Sequence, residues 1–404
     1  MALKEKIKLL SEKYLTEIIQ VRHHLHANPE LSFEEYNTSK FIAGKLKEWG
    51  IPYKDGIVKT GIVALIKGTN TSPNPLPRGT TACIALRADM DALPITEAND
   101  VEYKSKNIGV MHACGHDVHT SSLLGAAKIL NELKNEFSGT IKLIFQPGEE
   151  KAPGGASLMI QEGVLENPHP SAIYAQHVFP TLEAGKVGFR PGKYMASTDE
   201  IYLTVKGRGG HAAMKGTYVS PLLIASTILL ELEKRFGSEL KGEEIPTVLA
   251  FGKISGLGST NVIPDFVKIE GTLRTMNDVW RKKAHDIIRE LAVSKAKSMS
   301  GDCDVNIMTG YPALINNEHT TLKAKKQAEE FLGKDNVIDL ELRMTGEDFS
   351  FFAQKIPACF YRLGTGNVAK GIISGVHTPT FNIDESALQT GMGLMAWLAI
   401  SELK

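Results

Sequence analysis

The stretch DVHTSSLLGAAKILNELKNEFSGTIKLIFQ, residues 117–146, indicates the fold class because it joins a helix to a buried strand. DVHTSSLLGAAKILNEL has the pattern of a helix, with Asp117 as a candidate N-cap, and TIKLIFQ is typical of a strand. The strands GIVALIKG and ACIALRADM precede this stretch, and the helix ASLMIQEGVL and the strand AIYAQH follow it. Alternating helices and strands predict an α/β domain with a largely parallel sheet.

The order of elements changes after the turn at 190–192. EIYLTVKGR, a helix near 220–235, TVLAFGKI, FVKIEGTLRT, a helix near 279–297 and CDVNIMT predict strand, helix, strand, strand, helix, strand. We therefore predict a discontinuous larger domain, residues 1–194 and 310–404, and an inserted α+β, ferredoxin-like domain, residues 195–309. The Pro-rich segment 71–80 predicts a surface loop.

The composition indicates which kind of partner and which cellular compartment to expect. The 404 residues include 46 Lys and Arg against 46 Asp and Glu, which argues against nucleic acid or an anionic membrane as the main partner and favours small molecules. The four cysteines are far apart and show no disulfide pattern, so the cytoplasm is the expected compartment. The N-terminus lacks the apolar core of a signal peptide, and no run is long and apolar enough to span a bilayer.

The run MHACGHDVHT, residues 111–120, is the strongest local sign of chemistry. Gly115 lets the backbone bend tightly enough for the Cys114 thiolate and the His116 imidazole to converge on one or two cations. The alternative is a polar helix start that contains a buried cysteine.

Further polar residues follow predicted strands of the larger domain, where open α/β sheets bind ligands. They are Arg87, Asp89 and Asp91 after one strand, Glu149 and Glu150 after a second, His177 after a third, and His377 in a late loop.

A Glu–Glu pair is often only a solvated turn, and single histidines are often hydrogen-bonded surface residues. Here Pro147 and Gly148 force a turn directly after a strand, so one carboxylate can bind a metal while its neighbour faces a water. One thiolate, one carboxylate and three imidazoles form a suitable shell for two cations. These candidate ligands are Cys114, His116, Glu150, His177 and His377.

Ten motifs in order extend this interpretation over almost the whole chain: HANPELSFEE, LRADMDALPITE, MHACGHDVHT, FQPGEE, AQHVFP, GRGGHAAM, STNVIPD, EGTLRT, TGEDFSFF and GVHTP. Together they resemble the metal-dependent aminoacylase and carboxypeptidase family. Within it, they resemble the branch of hippurate hydrolases, N-acyl-amino-acid amidohydrolases and plant auxin-conjugate hydrolases.

The resemblance implies roles for the larger domain. The same five candidate ligands would bind two divalent metals, and Glu149 would be the general base and acid. Asp89 matches an aspartate behind the metals. Arg87 stands where other branches place a metal-binding histidine, which fits recruitment of Cys114 as a ligand.

For the inserted domain, the resemblance implies a lid that also forms a homodimer. His211 would reach a neighbouring active site and steady the tetrahedral intermediate, while Asn261 and Arg274 would hold the substrate α-carboxylate. Arg274 could instead pair with an acid of the lid sheet. The chain departs from the family pattern after GGHAAM, at Lys215, Gly216 and Ser220.

We therefore expect a metal-dependent amidohydrolase that cleaves N-acyl (acetyl, benzoyl or similar) L-amino acids to a carboxylate and a free amino acid. Zinc is the default metal, with manganese, cobalt or nickel as alternatives. A carboxypeptidase or dipeptidase with the same machinery is the nearest alternative. An inactive metal-dependent binding protein is an alternative of another class.

Overall fold

The computed structural model describes residues 1–70, 82–238 and 245–403, so the loop predicted at 71–80 lies outside the described residues. The helices are α1 (Leu3–Ala27), α2 (Tyr36–Glu48), α3 (His116–Glu132), α4 (Gly155–Gln161), α5 (Pro221–Glu233), α6 (Asp278–Ser298), α7 (Glu318–Leu332), α8 (Ser350–Ala353) and α9 (Ala387–Glu402).

The strands are β1 (Tyr53–Ile57), β2 (Gly61–Lys67), β3 (Cys83–Asp89), β4 (Thr140–Gln146), β5 (Ala172–Glu183), β6 (Val187–Phe189), β7 (Gly192–Met195), β8 (Asp199–Lys206), β9 (Gly210–His211), β10 (Thr247–Ser255), β11 (Val262–Ile263), β12 (Phe266–Thr275), β13 (Asp302–Thr309), β14 (Leu314–Asn316), β15 (Val337–Asp339) and β16 (Ala358–Gly366).

The chain forms two compact units. The first comprises Met1–Gly192, Ile315–Glu341 and Asp348–Lys404, and the second comprises Lys193–Leu314 and Leu342–Glu347. The domain boundaries given above from the sequence, 194/195 and 309/310, stay a prediction.

The first unit is built on an eight-stranded sheet in the order β1-β2-β4-β3-β5-β16-β6-β15. The four central strands, β4, β3, β5 and β16, run parallel, while β2 pairs antiparallel with both β1 and β4. The α/β class with a mostly parallel sheet is therefore confirmed. The carboxyl ends of the four central strands meet along one edge, where such sheets place their ligands.

Helices α1, α3 and α9 pack together beside this sheet. The apolar stripe of α1, which includes Ile7, Tyr14 and Ile18, is buried in the core. Most of α3 is buried, so it has no wide polar face. Asp117 is not its N-cap, and that prediction is wrong. Gly115 holds the N-cap position, while the buried Asp117 carboxylate accepts from Nε of Arg22 at 2.8 Å.

The second unit has a four-stranded antiparallel sheet in the order β10-β12-β8-β13. Helices α5 and α6 pack against each other and enclose a separate apolar core with the sheet. The order of elements along the chain and across the sheet is that of a ferredoxin-like fold, as predicted. A further pair of short strands, β9 and β11, carries His211 at its edge.

The four cysteines are unpaired, as the sequence predicts. Within the described parts of the chain, none of the helices has the length and apolar character needed to cross a membrane.

Candidate metal centre

Cys114 and His116 lie on either side of the glycine that precedes α3. Gly115 has φ +82°, and a Cβ atom there would lie 2.6 Å from the Val178 side chain, so both backbone conformation and packing require glycine. The turn brings sulfur and imidazole together. The ligand atoms of Cys114, His116 and His177 lie within 4.8 Å of one another.

The Cys114 thiol contacts two imidazoles from distant parts of the chain. Its Sγ lies 3.4 Å from Nε2 of His177 and 3.3 Å from Nε2 of His377. Nδ1 of His177 lies 2.8 Å from the carbonyl oxygen of Val178, and because a carbonyl only accepts, this nitrogen carries the proton. The lone pair of His177 Nε2 therefore faces the sulfur, as in a metal ligand whose other nitrogen is held by the backbone.

Glu150 adds a carboxylate oxygen to the same cluster. Its Oε1 lies 3.3 Å from Nε2 of His377 and 3.9 Å from Nε2 of His116. The ligand atoms of Cys114, Glu150 and His377 lie within 4.8 Å of one another, so the thiol is common to two groups of three. The structure thus brings all five candidate ligands into two overlapping groups.

One atom of this cluster shows most clearly whether a cation would fit. Nε2 of His116 is buried and has no hydrogen-bond partner among the residues that the structure describes, while Oε1 of Glu150 forms an ion pair with His377. Such an atom typically costs about 1–3 kcal/mol unless something else binds it. Thiolate, imidazole and carboxylate are ligands of zinc and of similar divalent metals. The donor set and the unpartnered nitrogen of His116 therefore fit a metal ion.

Electrostatics in the cluster follow from burial and close contacts. Hydrogen bonds to Cys114 and Glu150 raise the pKa of His377 to about 10. Burial, with the nearby charge of Arg362, holds the pKa of His177 well below its ordinary value, so this imidazole is neutral. Burial and the Glu150 carboxylate raise the pKa of the Cys114 thiol. A bound cation would reverse this effect, because it deprotonates a coordinating thiol.

Glu149 is the second carboxylate of the turn after β4. It is buried, and its Oε1 accepts from the backbone N–H of Asp348 at 3.3 Å. Ligand atoms of Glu149, Glu150 and His116 lie within 4.8 Å of one another. A carboxylate thus lies directly beside the candidate ligands, close enough to exchange a proton with a molecule bound there.

Asp89 lies at the end of β3, behind His116. It accepts from Nδ1 of His119 at 2.6 Å and from the guanidinium of Arg87 at 2.7 Å. Burial opposes ionisation of Asp89, but Arg87 and the imidazoles of His116 and His119 hold the pKa of its carboxyl well below the usual range. Nε2 of His119 in turn accepts from the backbone N–H of Val178 at 2.9 Å.

His119 and Asp91, for which no role was predicted from the sequence, both belong to this site. His119 follows His116 by three residues, which places the two rings on one face of α3. That spacing is the signal that could have identified it. Asp91 stands two residues after Asp89, and its Oδ1 lies 3.2 Å from Nδ1 of His116.

The remaining candidates lie in the second unit. His211 is exposed and pairs with Val262 between β9 and β11. Its Nδ1 accepts from the backbone N–H of Ala213 at 3.2 Å, which leaves Nε2 as the protonated nitrogen of the neutral ring. Asn261 is close to His211, because the backbone carbonyl oxygen of Asn261 accepts from the backbone N–H of Ala212 at 3.0 Å.

Arg274 lies on a different sheet from His211. It is part of β12 in the four-stranded sheet and is half-buried. Burial lowers the pKa of its guanidinium, while Asp199 and Glu200 oppose that shift. The interpretation of Arg274 as a partner of a lid acid therefore stays open beside its role toward substrate.

Comparison with known proteins places this geometry in context. The model of peptidase family M20/M25/M40 matches residues 85–401. Thermostable carboxypeptidase 2 of Saccharolobus solfataricus is 37% identical, over 99% of this chain and 99% of the relative. N-acetyl-L-cysteine deacetylase of Bacillus subtilis is 38% identical, over 92% of this chain and 85% of the relative.

Two solved structures are also similar to this chain over nearly its whole length. A putative aminohydrolase from methicillin-resistant Staphylococcus aureus has a TM-score of 0.90 at 31% identity, over 100% of both chains. A dinuclear metal binding peptidase of the M20 family from Bacillus subtilis has a TM-score of 0.82 at 33% identity, over 97% of this chain and 99% of the other.

Proposed function

Because the chain belongs to peptidase family M20/M25/M40 and is therefore a hydrolase, we propose that it is a metal-dependent amidohydrolase of N-acyl L-amino acids. It cleaves the amide to a carboxylate and a free amino acid. The observation that carries this proposal is the cluster of five possible ligands with a separate buried carboxylate, Glu149, beside it. The N-acetylcysteine deacetylase among its relatives supports the substrate class.

We propose two divalent cations per chain, zinc first, with manganese, cobalt or nickel as alternatives. One would be held by Cys114, His116 and His177, and the other by Cys114, Glu150 and His377, in accordance with the two groups of possible ligands. When bound, such cations polarise the acyl carbonyl and make the attacking water more acidic.

Glu149 is the proposed general base and acid. Its carboxylate removes a proton from water as the water oxygen adds to the acyl carbon. The same carboxyl then gives that proton to the amide nitrogen as the C–N bond breaks, so the amino acid leaves as a free amine. Asp89 supports the ligands from behind through its contacts with Arg87 and His119.

The lid residues complete the proposed site. His211 of one subunit stabilises the developing oxyanion in its neighbour through a ring N–H. Asn261 and Arg274 bind the substrate α-carboxylate, for which a guanidinium is suited because it can donate two parallel hydrogen bonds.

We propose that the protein is a homodimer formed through the inserted domain. Strand β10 lies at the edge of the four-stranded sheet, and Ile254 on it is exposed. Leu223 and Leu230 on α5 are also exposed, at 64% and 72%. An open sheet edge and exposed leucines are features that another copy of a chain can cover. The four unpaired cysteines support the cytoplasm as the compartment.

A peptidase activity is the second candidate, because a carboxypeptidase is among the relatives. The test measures kcat/KM of the zinc-loaded protein for N-acetyl-methionine, benzoyl-glycine and a dipeptide with C-terminal methionine. A higher value for an N-acyl substrate supports the amidohydrolase. A higher value for the dipeptide supports the peptidase and contradicts our proposal.

A further inference from the structure

The turn that carries Glu149 and Glu150 is held by a buried carboxylate that also contacts a ligand on another element. We propose that Asp91 is a positioning residue that fixes His116, Glu149 and Glu150 relative to one another. The inference rests on the proposed function, since it takes these three residues as part of the metal site and its base.

Asp91 is buried, and both of its carboxylate oxygens face the turn after β4. Oδ1 accepts from the backbone N–H of Glu149 at 3.0 Å, and Oδ2 accepts from the backbone N–H of Glu150 at 2.9 Å. The hydroxyl of Ser32 also donates to Oδ2, at 2.6 Å. One carboxylate therefore sets the backbone position of both functional glutamates.

The same carboxylate orients a candidate ligand on α3. Oδ1 of Asp91 lies 3.2 Å from Nδ1 of His116. Because a carboxylate accepts, Nδ1 carries a proton, so in the neutral ring that a metal would bind the lone pair lies on Nε2, the atom that faces Glu150. A carboxylate behind a ligating imidazole fixes both its ring orientation and its tautomer.

The turn has little freedom to move away from Asp91. Gly148 has φ +61°, and a Cβ atom there would lie 2.4 Å from the ring of Phe33. Its N–H donates to Oε1 of the buried Glu35 at 2.8 Å. Three successive N–H groups, of residues 148–150, are thus bound by two buried carboxylates. Of these two, Asp91 is the one that also contacts His116, so Asp91 couples α3 to the turn.

The experiment compares Asp91→Asn with Glu30→Gln. Glu30 is a matched control because its carboxylate also accepts from two successive backbone N–H groups, those of Asn37 and Thr38, but at the start of α2. We expect Asp91→Asn to weaken zinc binding, measured by competition with a chelator, by about 10- to 100-fold. At saturating zinc, we expect kcat on the substrate preferred by the wild type to fall by a similar factor, about 10- to 100-fold, with KM nearly unchanged.

A third readout does not depend on turnover. In cobalt-loaded protein, the visible d–d absorption reports coordination geometry, and Asp91→Asn should change it while Glu30→Gln should not. A changed spectrum and weaker zinc binding support the inference even if N-acyl amino acids prove not to be substrates, which separates it from the proposed function. If Asp91→Asn is unfolded, Asp91→Glu replaces it, because it keeps the charge and displaces the carboxylate by one methylene. A folded variant that keeps wild-type zinc affinity, kcat and cobalt spectrum overturns the inference.

Discussion

Nε2 of His116 lies 3.9 Å from Oε1 of Glu150, and within the described parts of the chain this buried nitrogen has no hydrogen-bond partner. His116 begins α3, whereas Glu150 follows β4. When the His116 ring is neutral, its buried lone pair on Nε2 faces a carboxylate oxygen, which is unfavourable unless something positive lies between them. A cation there satisfies both atoms, which is why this pair indicates a metal site more directly than either residue does alone.

Cys114 is common to both groups of possible ligands, so its loss should affect both cations. We expect Cys114→Ala to retain less than half of the zinc that the wild type retains after gel filtration. Metal analysis of the purified chains measures this. Cys83→Ala is the control. Cys83 is also buried, but it is the first residue of β3, and Asp89 of the site is the last residue of the same strand. Full zinc content in Cys114→Ala contradicts its role as a ligand.

The two glutamates of the turn should differ in what they contribute. Glu149→Gln removes the base, so turnover should fall by at least about 1000-fold while zinc content stays at the wild-type level. Glu150→Gln removes a charged ligand, so zinc content should fall as well. Metal analysis and amino acid release on the same samples separate the two effects. The reverse pattern, with zinc lost from Glu149→Gln and retained by Glu150→Gln, assigns the roles the other way round.

His211 can be tested by mixing two inactive variants. If His211 serves the neighbouring subunit, a dimer of one Glu149→Gln chain and one His211→Ala chain has one complete site. Half of randomly mixed dimers are of this kind, so refolding equal amounts together should restore about a quarter of wild-type activity. Each variant refolded alone provides the control. Absence of any recovery, in samples shown to contain mixed dimers, indicates that His211 acts within its own chain or not at all.

The free energy of unfolding of the inserted domain should fall at low pH, because the Asp199 carboxylate becomes protonated. Burial opposes its ionisation, but hydrogen bonds from Arg281 and His285 lower its pKa to about 2. Because this value lies below that of an unfolded chain, about 3.9, the stabilisation is complete above about pH 5 and is lost as pH falls toward 2. It amounts to about 2.6 kcal/mol.

Asp199→Asn should therefore remove this acid dependence. It also takes from the buried guanidinium of Arg281 its closest charge partner and should cost about 3 kcal/mol at pH 7. Urea unfolding at pH 7 and pH 3 measures both effects. Asp286→Asn is the control, because its side chain is 70% exposed. If wild type and Asp199→Asn lose the same free energy of unfolding between pH 7 and pH 3, this role of Asp199 is contradicted.

Much of the fold could be predicted because periodicity and turn residues report it locally. The strand TIKLIFQ, at 140–146, matches β4, and the predicted ferredoxin-like order matches the second unit. Element ends were less accurate: the helix predicted over ASLMIQEGVL ends at Gln161 in the structure. Asp117 was predicted to be an N-cap because caps are recognised from neighbouring residues. Its actual contact, with the buried Arg22, joins residues 95 positions apart and cannot be recognised in that way.

The candidate ligands could be found because their residue types are chemically distinctive and stand near predicted strand ends or a helix start. The predicted place of His177 after a strand was wrong, because β5 continues to Glu183 and His177 lies within it. Asp91 could not be assigned a role in this way. Its contacts are with backbone N–H groups of a turn 58 and 59 residues later, and backbone groups leave no residue-specific trace in a sequence. His119 lies between these cases, since its spacing from His116 is visible but its partner Asp89 is on another element.

Hydrolysis of an N-acyl amino acid should require metal bound by this cluster. We would follow release of methionine from N-acetyl-methionine while zinc or manganese is titrated into chelator-treated protein. We predict no release without metal and a rise that reaches its plateau at two metal ions per chain, with none of that rise in Glu149→Gln. Release that is the same with and without metal, or a wild-type protein that binds two ions and releases no methionine, would contradict the account.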